Sequence, residues 1–298
     1  MNKWILATRP WSFPASAMPA LIAFAYVFWM GHSGLLITHI DWIAGLFAIL
    51  GAVLFQIASN LISDYYDFRR GVDRKETFGS SRMLVDGVFS PRTIWMFGVV
   101  TLAIGALLGL WLAMRCGPQL YWIGIIGVLA AYFYYILKYH ALGDLLIFVI
   151  YGQLIALGTT YVMTSDIDLY ILAVSAPIGF LIVNILHANN TRDIRDDSKA
   201  GIHTQAILLG LGGSKVEYTV LAIVSYLAVV VLVVFQILPL LSLVVLITLP
   251  IAIKNIRLIS KTKVETPELI RNLDAASAQL VLAFGLLLTL SLVVSLLF

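Results

Sequence analysis

Residues 169–191 read Leu-Tyr-Ile-Leu-Ala-Val-Ser-Ala-Pro-Ile-Gly-Phe-Leu-Ile-Val-Asn-Ile-Leu-His-Ala-Asn-Asn-Thr, with no Asp, Glu, Lys or Arg. Arg192-Asp193-Ile-Arg195-Asp196-Asp197-Ser-Lys199 follows at once. At ~1.5 Å per residue such a run crosses the ~30 Å hydrocarbon core of a bilayer as a helix. Charge is equally absent from 93–114, 116–137, 145–165, 218–253 and 275–298. The stretch 218–253 suffices for two crossings, with Pro239 and Pro250 as breakpoints. Adding 11–31 and 42–63 predicts nine spans. The composition agrees: 61% of the 298 residues are hydrophobic and 12% charged, against about 25% charged in soluble domains. Period-two alternation is missing, so the fold class is an all-α polytopic bundle and not a barrel. It is read as one domain over 1–298, with the lipid bilayer as its solvent and no nucleic-acid partner.

The single cysteine, Cys116, excludes an intrachain disulfide and Cys-based metal or redox motifs. The five histidines show no pair at zinc-ligand spacing. Trp11, Pro14 and Pro19 interrupt the apolar run after Lys3 and Arg9, which reads as a retained first helix and not a cleaved signal.

With the N-terminus in the cytoplasm, the odd-numbered loops contain only Arg115 among the 19 Lys and Arg. The rest fall at the N-terminus and in the even-numbered loops, which places those loops in the cytoplasm. In a bacterial cell this is a multi-pass protein of the inner membrane. The long cytoplasmic loops are 64–92, 190–216 and 254–274. The last has mixed charge and reads as a surface helix or connector.

The first two loops begin with related clusters, Asn60-Leu-Ile-Ser-Asp64-Tyr-Tyr-Asp67 and Asn189-Asn190-Thr-Arg192-Asp193-Ile-Arg195-Asp196-Asp197. In each, an Asn is followed four residues later by an Asp, and by another Asp three or four residues on. Those steps stack side chains along one helix face. Each cluster then runs into a basic, glycine-containing segment, Arg69-Arg70-Gly71-Val72-Asp73-Arg74-Lys75 or Lys199-Ala-Gly201-Ile-His203-Thr204, which hints at an internal duplication. Stacked carboxylates repel one another, so they suggest a bound cation. Magnesium takes oxygen ligands and bridges carboxylates to substrate phosphates. The candidate metal ligands are Asn60, Asp64, Asp67, Asn189, Asp193 and Asp197, with Asp64 and Asp193 the leading catalytic pair. The bland alternative is helix capping and interfacial ion pairs, which serves single acids better than two matching stacks. Arg74, Arg82, Lys138, Arg192 and Lys199 are candidates for binding diphosphate oxygens. Span 4 ends in a tyrosine-rich run containing Tyr134, Tyr135 and Tyr139. These suit either an interfacial aromatic belt or a carbocation facing their π surfaces.

These segments resemble the UbiA superfamily of intramembrane prenyltransferases, which share nine helices and two motifs of the type Asn-x-x-x-Asp-x-x-(x)-Asp. The resemblance runs from Arg9-Pro10 to Asn272. Within the superfamily, the chain is most similar to the 1,4-dihydroxy-2-naphthoate prenyltransferases of menaquinone synthesis. The supporting segments are Gln56-Ile-Ala-Ser-Asn60, Asp64-Tyr-Tyr-Asp67 with Gly71-Val-Asp73, Gly143-Asp144, Gly152, Gly158-Thr-Thr-Tyr161 and Asn189-Asn190-Thr-Arg192-Asp193 with Gly201 and Thr204. The chain departs from that branch in having Gly201-Ile202-His203-Thr204 for Gly-Lys-x-Thr, with Lys199 as a substitute cation, and Gly143-Asp144 for Gly-Glu.

The resemblance implies magnesium-dependent transfer of a polyprenyl chain from a polyprenyl diphosphate to an aromatic acceptor, which loses its carboxylate to give a demethylmenaquinone. The same-class alternatives are other aromatic acceptors, 4-hydroxybenzoate and homogentisate among them. The different-class alternative is an ion-coupled transporter. Transporters hold their acids near the bilayer midplane, whereas these acids sit at span ends.

Overall fold

The computed structural model describes residues 2–35, 39–75, 77–78 and 81–297. Among them, nine helical segments are long and apolar enough to cross a membrane. They are span 1 Pro10–His32, span 2 Trp42–Arg69, span 3 Pro91–Cys116, span 4 Gln119–Lys138 and span 5 Gly143–Thr164. Span 6 is Tyr170–Arg192, span 7 Gln205–Val234, span 8 Leu240–Lys261 and span 9 Pro267–Leu297. No β-sheet occurs among the described residues; the single bridge joins His140 to His203.

The expected break in 218–253 falls at residues 235–239, where Pro239 caps the following 3-10 turn. Pro250 breaks nothing. It sits in the first turn of the α-helix Leu249–Lys261, where its missing N–H has no partner to lose. Span 7 starts well before residue 218 because a left-handed Gly210 (φ 64°) lets two helices join across a kink. The 254–274 segment is mainly the end of span 8 and a 3-10 turn Pro267–Ile270, not a surface helix.

Span 6 is the most enclosed, with 72% of its central window buried, against 17% for span 4. Its Ile171, Val174, Ile178 and Ile182 recur every three or four residues and pack against Ile22 of span 1, Val229 of span 7 and Phe284 of span 9. In lipid, such contacts rest on close van der Waals packing and not on water exclusion. The crossing of spans 5 and 6 shows this: a Cβ on Gly152 would lie 2.9 Å from the Gly179 Cα. Gly152 therefore serves backbone contact. Span 5 carries a π-helical stretch, Phe148–Leu154, at this crossing. Tyr151 lies within this stretch.

Both acidic motifs end in the same turn. The Val72 N–H donates to the Asp67 carbonyl at 2.9 Å and the Ile202 N–H to the Asp197 carbonyl at 3.2 Å. Gly71 (φ 69°) and Gly201 (φ 70°) supply the left-handed residue that this six-to-one closure requires. The sequence repeat is thus also a structural one. The second motif is not on one continuous helix, however. Span 6 ends at Arg192 and a short helix, Ile194–Lys199, restarts beyond Asp193.

Candidate active site

Spans 2, 4 and 6 bring a polar cavity of ≈ 360 Å³ to the bundle end where both motifs terminate. Asn60, Asp67, Asn189, Asp193 and Asp197 all line it, so the two motifs face one space from opposite sides. Asp67 accepts from the Tyr139 hydroxyl, and at 3.3 Å from both Lys138 Nζ and Ser63 Oγ. Asp193 is gripped by the Arg192 fork, Nη2 to Oδ2 at 2.6 Å and Nε to Oδ1 at 2.8 Å. Asp197, 6% exposed, makes no hydrogen bond or ion pair through its carboxylate among the described residues.

Asp64 is differently placed. It is 3% exposed and absent from the cavity wall. Its carboxylate pairs with the Arg9 guanidinium and accepts from Ser81 Oγ at 2.7 Å. Asn60 donates to the Thr8 carbonyl at 3.2 Å and to Ser12 Oγ at 3.1 Å. One stripe on span 2 therefore ties down the N-terminal segment and sets Arg9 in the cavity wall.

Of the expected cations, Arg82, Lys138 and Arg192 reach the cavity wall. Arg74 and Lys199 do not. Arg74 is turned back to the Gly71 carbonyl at 3.0 Å, and Lys199, 55% exposed, lies 3.6 Å from Asp196. Both instead lie near Asp196, itself on the cavity wall, at 3.9 Å from Arg74 and 3.6 Å from Lys199. Tyr134 lines the cavity, whereas Tyr135 stacks on Tyr66 at 3.8 Å and Tyr139 is committed to Asp67. Of the three expected rings, Tyr134 is the one on the cavity wall. Tyr151, from the π-helical stretch, takes the second place beside Tyr134.

Sequence reasoning missed Arg9, Asp73, Arg271 and Asp274, all on the cavity wall. Arg9 read as a positive-inside residue and 254–274 as a connector. Only Asp73 carried a signal, a third acid just past the first motif. Also unassigned was a buried clamp behind Asn189. His187 Nδ1 lies 2.6 Å from Asp144 and Nε2 lies 2.9 Å from the Ser214 carbonyl, while Asn190 donates to Asp144 at 3.2 Å. Glu217 adds a third possible ligand atom there, all within 4.8 Å. With both ring nitrogens engaged by protein, the cluster reads as a clamp tying spans 5, 6 and 7 together.

The electrostatics fit a cation. Burial pushes the carboxyls of Asp73 and Asp197 up to about 7, with Asp67 adding to both, and burial also raises Asp193. Burial opposes the Arg9 charge, yet Asp64, Asp73 and Asp67 outweigh it and raise its pKa. Carboxyls crowded enough to hold protons near neutrality are stabilised by a divalent ion. The Asn189 Oδ1 is buried without a partner among the described residues; it and Asp197 both line the cavity, and oxygen donors of this kind suit magnesium.

Beyond the polar cavity lies an apolar chamber of ≈ 130 Å³ between spans 2, 3, 4 and 5. The two share Gln56, Ser59, Tyr134 and Tyr151 as a collar. Gly109, Gly124 and Gly127 line the chamber, and a Cβ at each would meet open space. Gly158 lines it as well.

The family model for the UbiA prenyltransferase family matches residues 16–273. The chain belongs to that family. It is 35% identical to the UbiA prenyltransferase domain-containing protein 1 of Danio rerio over 75% of this chain and 66% of that protein. The chain thus spans just under two thirds of that relative's length. It is 28% identical to the 1,4-dihydroxy-2-naphthoate octaprenyltransferase of Bacillus subtilis (strain 168), over 97% of this chain and 91% of that one. The fold is that of a UbiA homologue from Aeropyrum pernix K1, with a TM-score of 0.68, 15% identity, and coverage of 93% and 97% of the two chains. It is also that of an Archaeoglobus fulgidus UbiA homologue bound to DMAPP and Mg2+, with a TM-score of 0.60, 16% identity, and coverage of 97% and 99%.

Proposed function

We propose that this UbiA-family protein transfers a polyprenyl chain from a polyprenyl diphosphate to 1,4-dihydroxy-2-naphthoate, with decarboxylation, giving a demethylmenaquinol, the reduced form of a demethylmenaquinone. The observation that carries the reading is the adjacency of a charged cavity and an apolar chamber, which share a wall of Gln56, Ser59, Tyr134 and Tyr151. A prenyl diphosphate has the same division: a polyanion, an allylic carbon and a hydrocarbon tail. The naphthoate acceptor is supported by the Bacillus relative, which matches nearly end to end.

Asn60, Asp67, Asp73, Asn189, Asp193 and Asp197 would hold magnesium, which when bound supplies positive charge against the leaving diphosphate. Lys138, Arg82 and Arg271 add fixed positive charge in the same wall. Arg9, paired with Asp64, stands in the same wall. As the allylic carbon–oxygen bond breaks, its electron pair leaves with the diphosphate. Tyr134 and Tyr151 present aromatic surface at the junction where the allylic cation forms. The enclosed walls keep water from capturing it. The acceptor ring carbon forms the new bond and the carboxylate departs as carbon dioxide.

The deciding assay supplies purified protein with magnesium, one all-trans polyprenyl diphosphate, and both 1,4-dihydroxy-2-naphthoate and 4-hydroxybenzoate in competition. The naphthoate should be prenylated faster. Faster use of 4-hydroxybenzoate would reject the acceptor. Solute uptake into proteoliposomes with no magnesium-dependent diphosphate release would favour the transporter instead.

The excess of positive residues at the cavity end supports a cytoplasmic site and N-terminus, in bacteria at the inner membrane. Cys116 is buried against the Val162 carbonyl and makes a poor reporter of sidedness. Cysteines at exposed Ser33 and Lys263, at opposite ends of the bundle, serve better. An impermeant thiol reagent should label Ser33→Cys in intact cells and Lys263→Cys only after the membrane is opened. The opposite pattern would overturn the orientation.

A further inference from the structure

Gln56 lies one helical turn before Asn60 on span 2 and forms part of the wall of both cavities. It is 4% exposed. Its amide has a defined direction: Nε2 donates to the Ser12 carbonyl at 2.7 Å and to Ser12 Oγ at 3.0 Å. A carbonyl can only accept, so the nitrogen must face Ser12 and the oxygen must face away. That oxygen, Oε1, is buried and accepts no hydrogen bond. A buried acceptor of this kind is costly unless a ligand or a water fills it.

Its position says which ligand. The diphosphate takes the charged end and the tail takes the apolar chamber, so the bond that breaks lies at the collar. The aromatic acceptor must bring its ring to that same place. Of the four collar residues, Gln56 alone carries an orphaned buried acceptor.

We propose that Gln56 Oε1 receives a hydrogen bond from a ring hydroxyl of the aromatic acceptor, and that this contact selects hydroxylated rings and sets which carbon faces the prenyl group. The inference rests on the prenyl-transfer reading above. The hydroxyl keeps its proton, so no bond is made or broken at the amide. The hydrogen bond draws electron density toward the hydroxyl oxygen and hence into the ring that attacks. A pocket that satisfies a buried polar group with a substrate hydroxyl rejects the analogue lacking it, because that group is then left unpaired. The N-terminal segment acts through Ser12, which keeps the amide from flipping.

The test compares wild type with Gln56→Met, offered 1,4-dihydroxy-2-naphthoate and its two mono-O-methyl ethers, with magnesium and one polyprenyl diphosphate. Wild type should lose about tenfold or more in kcat/KM on one of the two ethers. Gln56→Met should show a similar loss on the parent acceptor but little additional loss on that ether, with KM for the polyprenyl diphosphate unchanged. A merely structural role would not produce that cancellation between enzyme and substrate changes. Ser12→Ala, which keeps the backbone carbonyl contact, should retain the discrimination. Equal wild-type use of both ethers and the parent overturns the proposal, whether or not Gln56→Met folds. So do losses from variant and ether that simply multiply. Absence of magnesium-dependent turnover with every acceptor would overturn the prenyl-transfer reading as well, whereas equal use of the ethers overturns this inference alone.

Discussion

Replacing Asp197 by Asn is expected to lower prenyl transfer by about 10²–10³-fold while leaving the bundle folded. Its carboxylate lines the cavity and has no hydrogen-bond or ion-pair partner among the described residues, so the change strands no other group. It removes one negative charge from a wall whose task is to hold a cation against diphosphate. The apparent KM for magnesium should rise with the fall in kcat. The pH dependence follows from the same residue. Burial raises the Asp197 carboxyl to about 7, so below that pH a proton must leave before a cation binds. Wild type should therefore need less magnesium as pH rises through about 7, and Asp197→Asn should flatten that trend. The checks are steady-state kinetics across magnesium and pH, with thermal unfolding as the control. A folded Asp197→Asn protein with near-normal turnover would remove Asp197 from the metal site.

Asp64→Asn should behave differently. The Asp64 carboxylate is buried against Arg9, so its loss leaves a guanidinium facing Asp67 and Asp73 with its main partner gone. Breaking a buried pair from one side typically costs about 3–5 kcal/mol. Asp64→Asn and Arg9→Gln should each destabilise the protein and reduce activity, with the N-terminal segment loosened from span 2. The double variant should recover much of the stability, because neither charge is then stranded. Turnover should stay low in the double variant, since Arg9 is also lost from the cavity wall. Thermal unfolding of the four proteins in detergent reads the cycle. Additive losses in stability would show that the two residues do not act as a pair. The assignment of Asp64 as a metal ligand would gain support only if Asp64→Asn lost activity with its stability intact.

The contrast between Asp197 and Asp64 shows how far the sequence could be read. Nine spans, the all-α class and the facing of two acidic motifs at one membrane surface were all legible, because hydrocarbon thickness fixes the length of an uncharged run and stacked acids at its end need a counter-charge. A glycine-containing run after each motif was legible too, but that Gly71 and Gly201 close both motifs with the same turn came from the structure. Which member of each motif faces the cavity was not legible. A helix presents residues at i, i+4 and i+7 within a broad stripe, and the pattern alone does not say which of them meets another chain segment. Asp64 met Arg9 from a stretch 55 residues away. Arg74 and Lys199 lie off the cavity wall, near Asp196.

The sequence by itself therefore determined the membrane architecture and the chemistry gathered at one end of it, because both depend on local composition and period. Tertiary structure alone decided which oxygens stay unpartnered, which cations line the cavity, and that Tyr151 and Gln56 stand where it borders the apolar chamber. Those outcomes depend on contacts between segments far apart in the chain, and on a π-helical turn in span 5 whose extra residue no periodic reading of the sequence anticipates.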